Sequence, residues 1–204
     1  MRKLNKYRWE IAKLLGNNKW ITIKPTLNCN LHCGYCSVTN AYKYYPVDYK
    51  TPPPYQELPV EWWMKLINRV KPALITISGG EPGMYKDIHK IINYAVEKKC
   101  LVQVLSNLTM LDEFFKIKPT WRVYFLHTMH GGLTQEGYDT LRKLFYVEMR
   151  VINVKPKKTR KEIQLITWRD NRYRIMYAPD GSMYDSCDGM SLKDNIITTE
   201  VCEY

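Results

Sequence analysis

Leu74-Ile75-Thr76-Ile77-Ser78-Gly79-Gly80-Glu81-Pro82 is the stretch on which the fold turns. Its first four residues are apolar or β-branched and read as a short buried strand, which the glycines and proline then end. Working outward, a helix over about 87–98 precedes the strand Leu101-Val-Gln-Val-Leu105 and the turn Ser106-Asn107. On the other side, 59–70 reads as a helix starting near Pro59, with Trp62, Trp63, Leu66 and Val70 on or near one face. Trp20-Ile-Thr-Ile-Lys24 alternates like a strand and stops at Pro25.

The same alternation continues through a short helix near 111–116 and a strand at Arg122–Leu126. A helix near 134–145, which Thr134 would cap, leads to a strand from Tyr146 to Val154. Strand and helix in turn over 20–154 imply βαβ units and a mostly parallel sheet. About five strands are too few to close an eight-stranded barrel. The expected fold is therefore α/β, an open, partial β/α barrel. Around it we expect an N-terminal helix in 1–19 and a short strand-rich C-terminal appendage in 155–204. That appendage carries candidate strands at Ile163–Thr167 and Arg174–Tyr177 and the turn Pro179-Asp-Gly181. Residues 37–58, with Thr51-Pro-Pro-Pro54, form an excursion of a length that usually serves function.

Apolar residues make up 45% of the 204-residue chain, enough to bury a core and to argue against disorder. No stretch approaches the roughly 20 apolar residues of a membrane span, and the basic N-terminus lacks the apolar region of a secretion signal. A cytoplasmic protein with no membrane contact is expected. The net charge of +11 concentrates at Arg2–Arg8 and in the block 155–174. Nucleic acid is a partner such charge permits, but no nucleic-acid-binding motif accompanies it, and a solvated loop is the plainer reading.

Cys29, Cys33 and Cys36 lie within eight residues, in Thr26-Leu-Asn-Cys29-Asn-Leu-His-Cys33-Gly-Tyr-Cys36, directly after the first strand. Without a secretion signal, such clustering points to metal or redox chemistry rather than disulfides. Three thiolates suit a soft metal. A structural zinc would need a fourth ligand, which His32 or a distant cysteine could supply. In an iron–sulfur cubane, three cysteines leave one iron free to bind a further ligand.

The C-x3-C-x2-C segment, with Asn30, Leu31 and Tyr35 around it, resembles the signature of the radical S-adenosylmethionine superfamily. Ser78-Gly-Gly-Glu-Pro82 falls where that family has its "GGEP" motif, and Ser106-Asn107 resembles its turn after the third strand. The resemblance implies that Cys29, Cys33 and Cys36 hold a [4Fe-4S] cluster whose fourth iron chelates S-adenosylmethionine. It implies that Tyr35 lies near the adenine, and that Gly79, Gly80, Glu81, Ser106 and Asn107 line the cofactor. The glycines would let backbone approach a ligand closely, and Glu81 would accept a charge-assisted hydrogen bond from the cofactor's ammonium. Reductive cleavage would then give a 5′-deoxyadenosyl radical that abstracts hydrogen from substrate, with electrons from a flavodoxin or ferredoxin-like donor. Softer candidates are His127 and His130 after the fourth strand and Arg150 and Asn153 on the fifth. His89, in a helix, reads as a surface residue.

Residues 174–188, with Pro179-Asp-Gly181, Tyr184 and Cys187, resemble the entry to a SPASM or twitch auxiliary-cluster subdomain. Only Cys187 and Cys202 follow, too few for a second cluster. A reduced remnant of that subdomain is the preferred reading. A metal site completed by Asp185 or Asp188, or two ordinary thiols, remain alternatives. The remnant favours a peptide or small-molecule substrate. A glycyl-radical-enzyme activase, nucleic-acid modification and a non-catalytic iron–sulfur or zinc binding module are the competing readings.

Overall fold

The computed structural model describes residues 19–31, 57–128, 135–150, 174–177 and 183–184. Five strands follow in chain order, β1 (Trp20–Ile23), β2 (Leu74–Ile77), β3 (Leu101–Ser106), β4 (Val123–Thr128) and β5 (Tyr146–Arg150). Between them lie α1 (Val60–Val70), α2 (Ile88–Glu97) and α3 (Gln135–Leu144). Two further strands, β6 (Arg174–Tyr177) and β7 (Met183–Tyr184), complete one sheet in the order β5-β4-β3-β2-β1-β6-β7.

Among the described strands, all pairings from β5 to β6 are parallel and β7 pairs antiparallel with β6. The sheet is open, as the strand count implied. β6 pairs with β1 in the register Trp20↔Arg174 to Ile23↔Tyr177, so the strand-rich C-terminal piece extends the barrel sheet itself. The N-terminal helix, the proline-rich excursion, the strand at 163–167 and the basic block before Arg174 lie outside the described residues.

Strand alternation divides the sheet into two faces. Ile21, Ile23, Ile75, Ile77, Val102, Val104, Val123 and Phe125 pack with α1, α2 and α3 into the main core. Trp63, Leu66 and Ile67 are the buried stripe of α1, and Ile88, Ile91, Ile92 and Ala95 that of α2, each at helical spacing. Phe125 meets Phe114 and Phe145 edge-on at centroid separations of 5.0 and 5.5 Å. The opposite face is polar at its middle. There Trp20 Nε1 donates to Thr76 Oγ1 at 2.9 Å, and Thr76 Oγ1 donates to Gln103 Oε1 at 2.9 Å, bracing β1, β2 and β3.

Helix ends follow local chemistry. α1 stops where Lys71 turns left-handed (φ 50°) ahead of Pro72, its N–H bonding Ile67 O at 2.8 Å. The helix expected at 111–116 is a single 3-10 turn, Phe114–Lys116, closed by the bond from Ile117 N–H to Phe114 O at 3.1 Å and ending ahead of Pro119, which disfavours helix in the residue before it.

Candidate functional site

Parallel pairing sets the C-terminal ends of β1, β2 and β3 side by side, and the loops leaving them meet at that edge. Backbone bonds sew the first two loops together. Ser78 N–H donates to Ile23 O at 3.0 Å, Gly80 N–H to Thr26 O at 3.0 Å, and Glu81 N–H to Asn28 O at 2.8 Å. This approach is open only to glycine. A Cβ on Gly79 would sit 2.1 Å from Thr26 O, and one on Gly80 would sit 2.1 Å from Asn28 O. Gly79 also has φ +132°, a conformation side chains rarely adopt. The room the two glycines leave on their Cβ side is thus taken by the backbone leading into Cys29.

Glu81 is 1% exposed. Its Oε1 accepts from Gly83 N–H at 3.0 Å and Ser106 Oγ–H at 2.6 Å, and its Oε2 accepts from Asn107 N–H at 2.7 Å. Burial raises its pKa, and the three hydrogen bonds oppose that rise. Glu81 therefore clamps the turn after β3 to the turn after β2. A carboxylate has about four acceptor directions, so one on Oε2 is left for a further donor such as an ammonium.

Ser106 and Asn107 shape their own turn. Ser106 Oγ accepts from Leu108 N–H at 2.8 Å, Asn107 Oδ1 accepts from Thr109 N–H at 2.9 Å, and Leu108 is left-handed at φ 57°. Asn107 Nδ2 reaches across to the cysteine loop, 3.1 Å from Asn30 Oδ1 and 3.9 Å from Cys29 Sγ. Leu31 N–H lies 3.5 Å from the same sulfur. Two N–H groups directed at one partly exposed cysteine form a donor set suited to a metal-bound thiolate. The loop is held on its other flank by Glu57, which accepts from Thr26 Oγ1 and, at 2.9 Å, from Asn28 Nδ2.

Of the residues expected from sequence, Cys29, Gly79, Gly80, Glu81, Ser106 and Asn107 converge here. Tyr35, Cys33 and Cys36 lie outside the described residues, as do His130, Asn153, Cys187 and Cys202. Glu57, Asn28 and Thr109 were not expected. The Asn-Leu-Thr pattern of 107–109 is a turn signal that could have found Thr109. His127 falls on the helix-covered side with Val123 and Phe125, its ring 6.3 Å from Tyr138. Burial lowers its pKa, and its buried Nδ1 has no partner among the described residues. His89 corrects its reading as a surface residue: its Nδ1 pairs with Glu113 Oε2 at 2.7 Å in a half-buried setting. Asp87 completes a trio there, but Lys90 and Lys116 already pair with Asp87 and Glu113. Cys100 is buried, its thiol directed at Pro72 O at 3.1 Å, and burial pushes its pKa up to about 11. Among the described residues no helix is long and apolar enough to cross a membrane.

The sequence matches the family described as the Radical SAM superfamily over residues 23–167. No curated protein matches it. Among solved structures, Streptococcus suis SuiB is similar at TM-score 0.55 and 12% identity, over 96% of this chain and 67% of that one. SuiB bound to S-adenosylmethionine is similar at TM-score 0.54 and 13% identity, over 100% and 67%. SuiB bound to the precursor peptide SuiA is similar at TM-score 0.57 and 12% identity, over 96% and 66%. The chain thus spans about two thirds of the length of these structures, and at such identity the likeness is one of fold.

Proposed function

The chain belongs to the radical SAM superfamily, and from that premise we propose that it reductively cleaves S-adenosylmethionine to abstract hydrogen from a peptide substrate. It is an enzyme of the class that uses a [4Fe-4S] cluster and S-adenosylmethionine. Bound together, these groups supply one-electron cleavage of a carbon–sulfur bond and so a route to a carbon radical.

What the protein's own residues contribute follows from the edge described above. Cys29, with Cys33 and Cys36, would ligate the cluster and leave one iron for the cofactor. Gly79 and Gly80 let the cysteine loop lie against the turn after β2. Glu81, with one acceptor direction remaining, is placed for the cofactor's ammonium, while Ser106 and Asn107 fix the carboxylate from the far side. Tyr35 is assigned to the adenine. The observation that carries the reading is this convergence: two motifs about 50 residues apart, each weak alone, share one hydrogen-bonded edge from Glu81 through Asn107 to Cys29. A peptide substrate is supported by the fold likeness to SuiB bound to the precursor peptide SuiA, and by the Pro-Asp-Gly…Cys pattern of residues 179–187. A flavodoxin or ferredoxin-like protein would supply the electron, in the cytoplasm.

The test is anaerobic reconstitution followed by metal analysis and an assay for 5′-deoxyadenosine. About four irons per chain and release of 5′-deoxyadenosine under strong reductant are expected. A fully loaded protein that releases none would overturn the enzymatic reading. Zinc in place of iron would favour a binding module.

A further inference from the structure

Asn107 is 7% exposed, and its carboxamide belongs to a closed ring of hydrogen bonds. Thr109 N–H can only donate, so the atom it meets at 2.9 Å is fixed as Asn107 Oδ1 and the other pole of the amide as Nδ2. Asn107 Nδ2 donates to Asn30 Oδ1 at 3.1 Å, which fixes the Asn30 amide in turn. Asn30 Nδ2 donates to Thr109 Oγ1 at 2.7 Å, and Thr109 Oγ1 returns its proton to Asn107 Oδ1 at 2.6 Å. With Oδ1 accepting from Thr109 and Nδ2 donating to Asn30, the Asn107 carboxamide is held in one orientation.

An Asn amide nitrogen carries two hydrogens. One is taken by Asn30, and the other is directed at Cys29 Sγ, 3.9 Å away. The backbone of Asn107 is anchored independently, through its N–H on Glu81 Oε2. Hydrogen bonds to the sulfurs of an iron–sulfur cluster are one of the means by which a protein sets its potential, since they stabilise the more negative, reduced state.

We propose that Asn107 is a positioning residue for the cluster: held by the backbone N–H of Thr109 and by Asn30, it presents one N–H to the Cys29 sulfur and thereby makes the cluster easier to reduce. This rests on the assignment of Cys29 as an iron ligand. Its consequence is that the turn after β3 acts on the electron-transfer step, separately from any contact with S-adenosylmethionine.

Two measurements on the full-length, anaerobically reconstituted enzyme decide it. In the first, the fraction of reduced cluster is followed by electron paramagnetic resonance against applied potential, without S-adenosylmethionine. Asn107→Ala should retain its iron while the reduced-to-oxidised ratio at fixed potential falls by about tenfold, equivalent to about 59 mV for one electron. Thr109→Val keeps the Thr109 N–H on Asn107 Oδ1 and should move the ratio by less than about threefold, or about 28 mV. Equal shifts in both variants would mean general loosening of the turn and overturn the proposal, as would an unchanged ratio in a fully loaded Asn107→Ala enzyme. The second measurement needs no substitution. With 15N-labelled asparagine, the reduced wild-type cluster should show a 15N hyperfine coupling by electron–nuclear double resonance, and its absence would overturn the contact even if Asn107→Ala fails to fold. A wild-type protein that binds no iron would instead defeat the functional assignment on which the proposal stands.

Discussion

Replacing Gly80 with alanine tests whether the glycine pair serves the cysteine loop. The added Cβ would sit 2.1 Å from Asn28 O, 2.4 Å from Leu27 O and 2.5 Å from Asn28 C, all of them backbone atoms. Ordinary non-bonded contacts are about 3.5 Å, so one backbone must retreat by roughly 1.4 Å. Movement on that scale would stretch the 2.8 Å bond from Glu81 N–H to Asn28 O beyond hydrogen-bonding range. It would also strain the 3.0 Å bond from Gly80 N–H to Thr26 O, where Thr26 is fully buried. Losing one such bond costs about 1–3 kcal/mol and overpacking another 1–3 kcal/mol, so the expected destabilisation is about 2–6 kcal/mol. Cys29 follows Asn28 directly and must move with it, so iron retention should fall along with stability. The assay is urea unfolding of the anaerobic protein, paired with iron per chain after reconstitution. A Gly80→Ala protein that loads its full iron and loses less than about 1 kcal/mol would refute the reasoning, because the loop would then have found room the geometry denies it.

The other predictions concern buried groups. Burial raises the Glu81 pKa from its ordinary 4.5, so the folded chain binds that proton more tightly than the unfolded chain. Its contribution to stability is therefore present below about 4.5 and is lost as pH rises through the folded pKa. Urea unfolding against pH should show the advantage of wild type over Glu81→Gln shrinking above that point, and an advantage that grows with pH would contradict the assignment. Cys100, with its pKa up to about 11, should resist iodoacetamide in the folded protein at pH 8 and react once unfolded; labelling as fast as that of a free thiol, read by peptide mass mapping, would show that its pocket opens. Phe125→Ala should cost about 3–5 kcal/mol in thermal or urea unfolding, since the ring is fully buried between Phe114 and Phe145, and a loss under 1 kcal/mol would mean that this part of the core collapses to fill the space.

What the sequence made legible were features whose cause is local. Leu74–Ile77 is a strand because β-branched residues run between Pro72 and Ser78, and Trp62, Trp63 and Leu66 mark a helix because its period brings an apolar stripe to one side. The role of residues 174–177 was less legible. As a short apolar run they signal a strand, but nothing in them says that the partner is β1, some 150 residues earlier. The 111–116 segment was read as a helix on the same kind of local evidence. There the chain makes only a 3-10 turn, because Pro119 keeps the residue before it out of helical conformation.

The site divides along the same line, and the division bears on mechanism. Gly79, Gly80, Glu81, Ser106 and Asn107 were found as types in a pattern, yet the pattern assigns each of them to the cofactor. In the structure their first partners are one another and the loop of Cys29: two glycines admit Thr26 and Asn28, Glu81 binds Ser106 and Asn107, and Asn107 reaches Asn30 and Cys29. Contacts separated by 25 to 78 residues leave no periodic trace in a sequence. A motif assigned to a ligand's surroundings is, in physical terms, first a description of how three strand ends are locked together. Preorganisation of this kind is what a radical reaction requires, because the groups that place the cluster and the cofactor must already be fixed before the electron arrives. Substitutions here should therefore be judged by cluster binding and potential before they are judged by turnover.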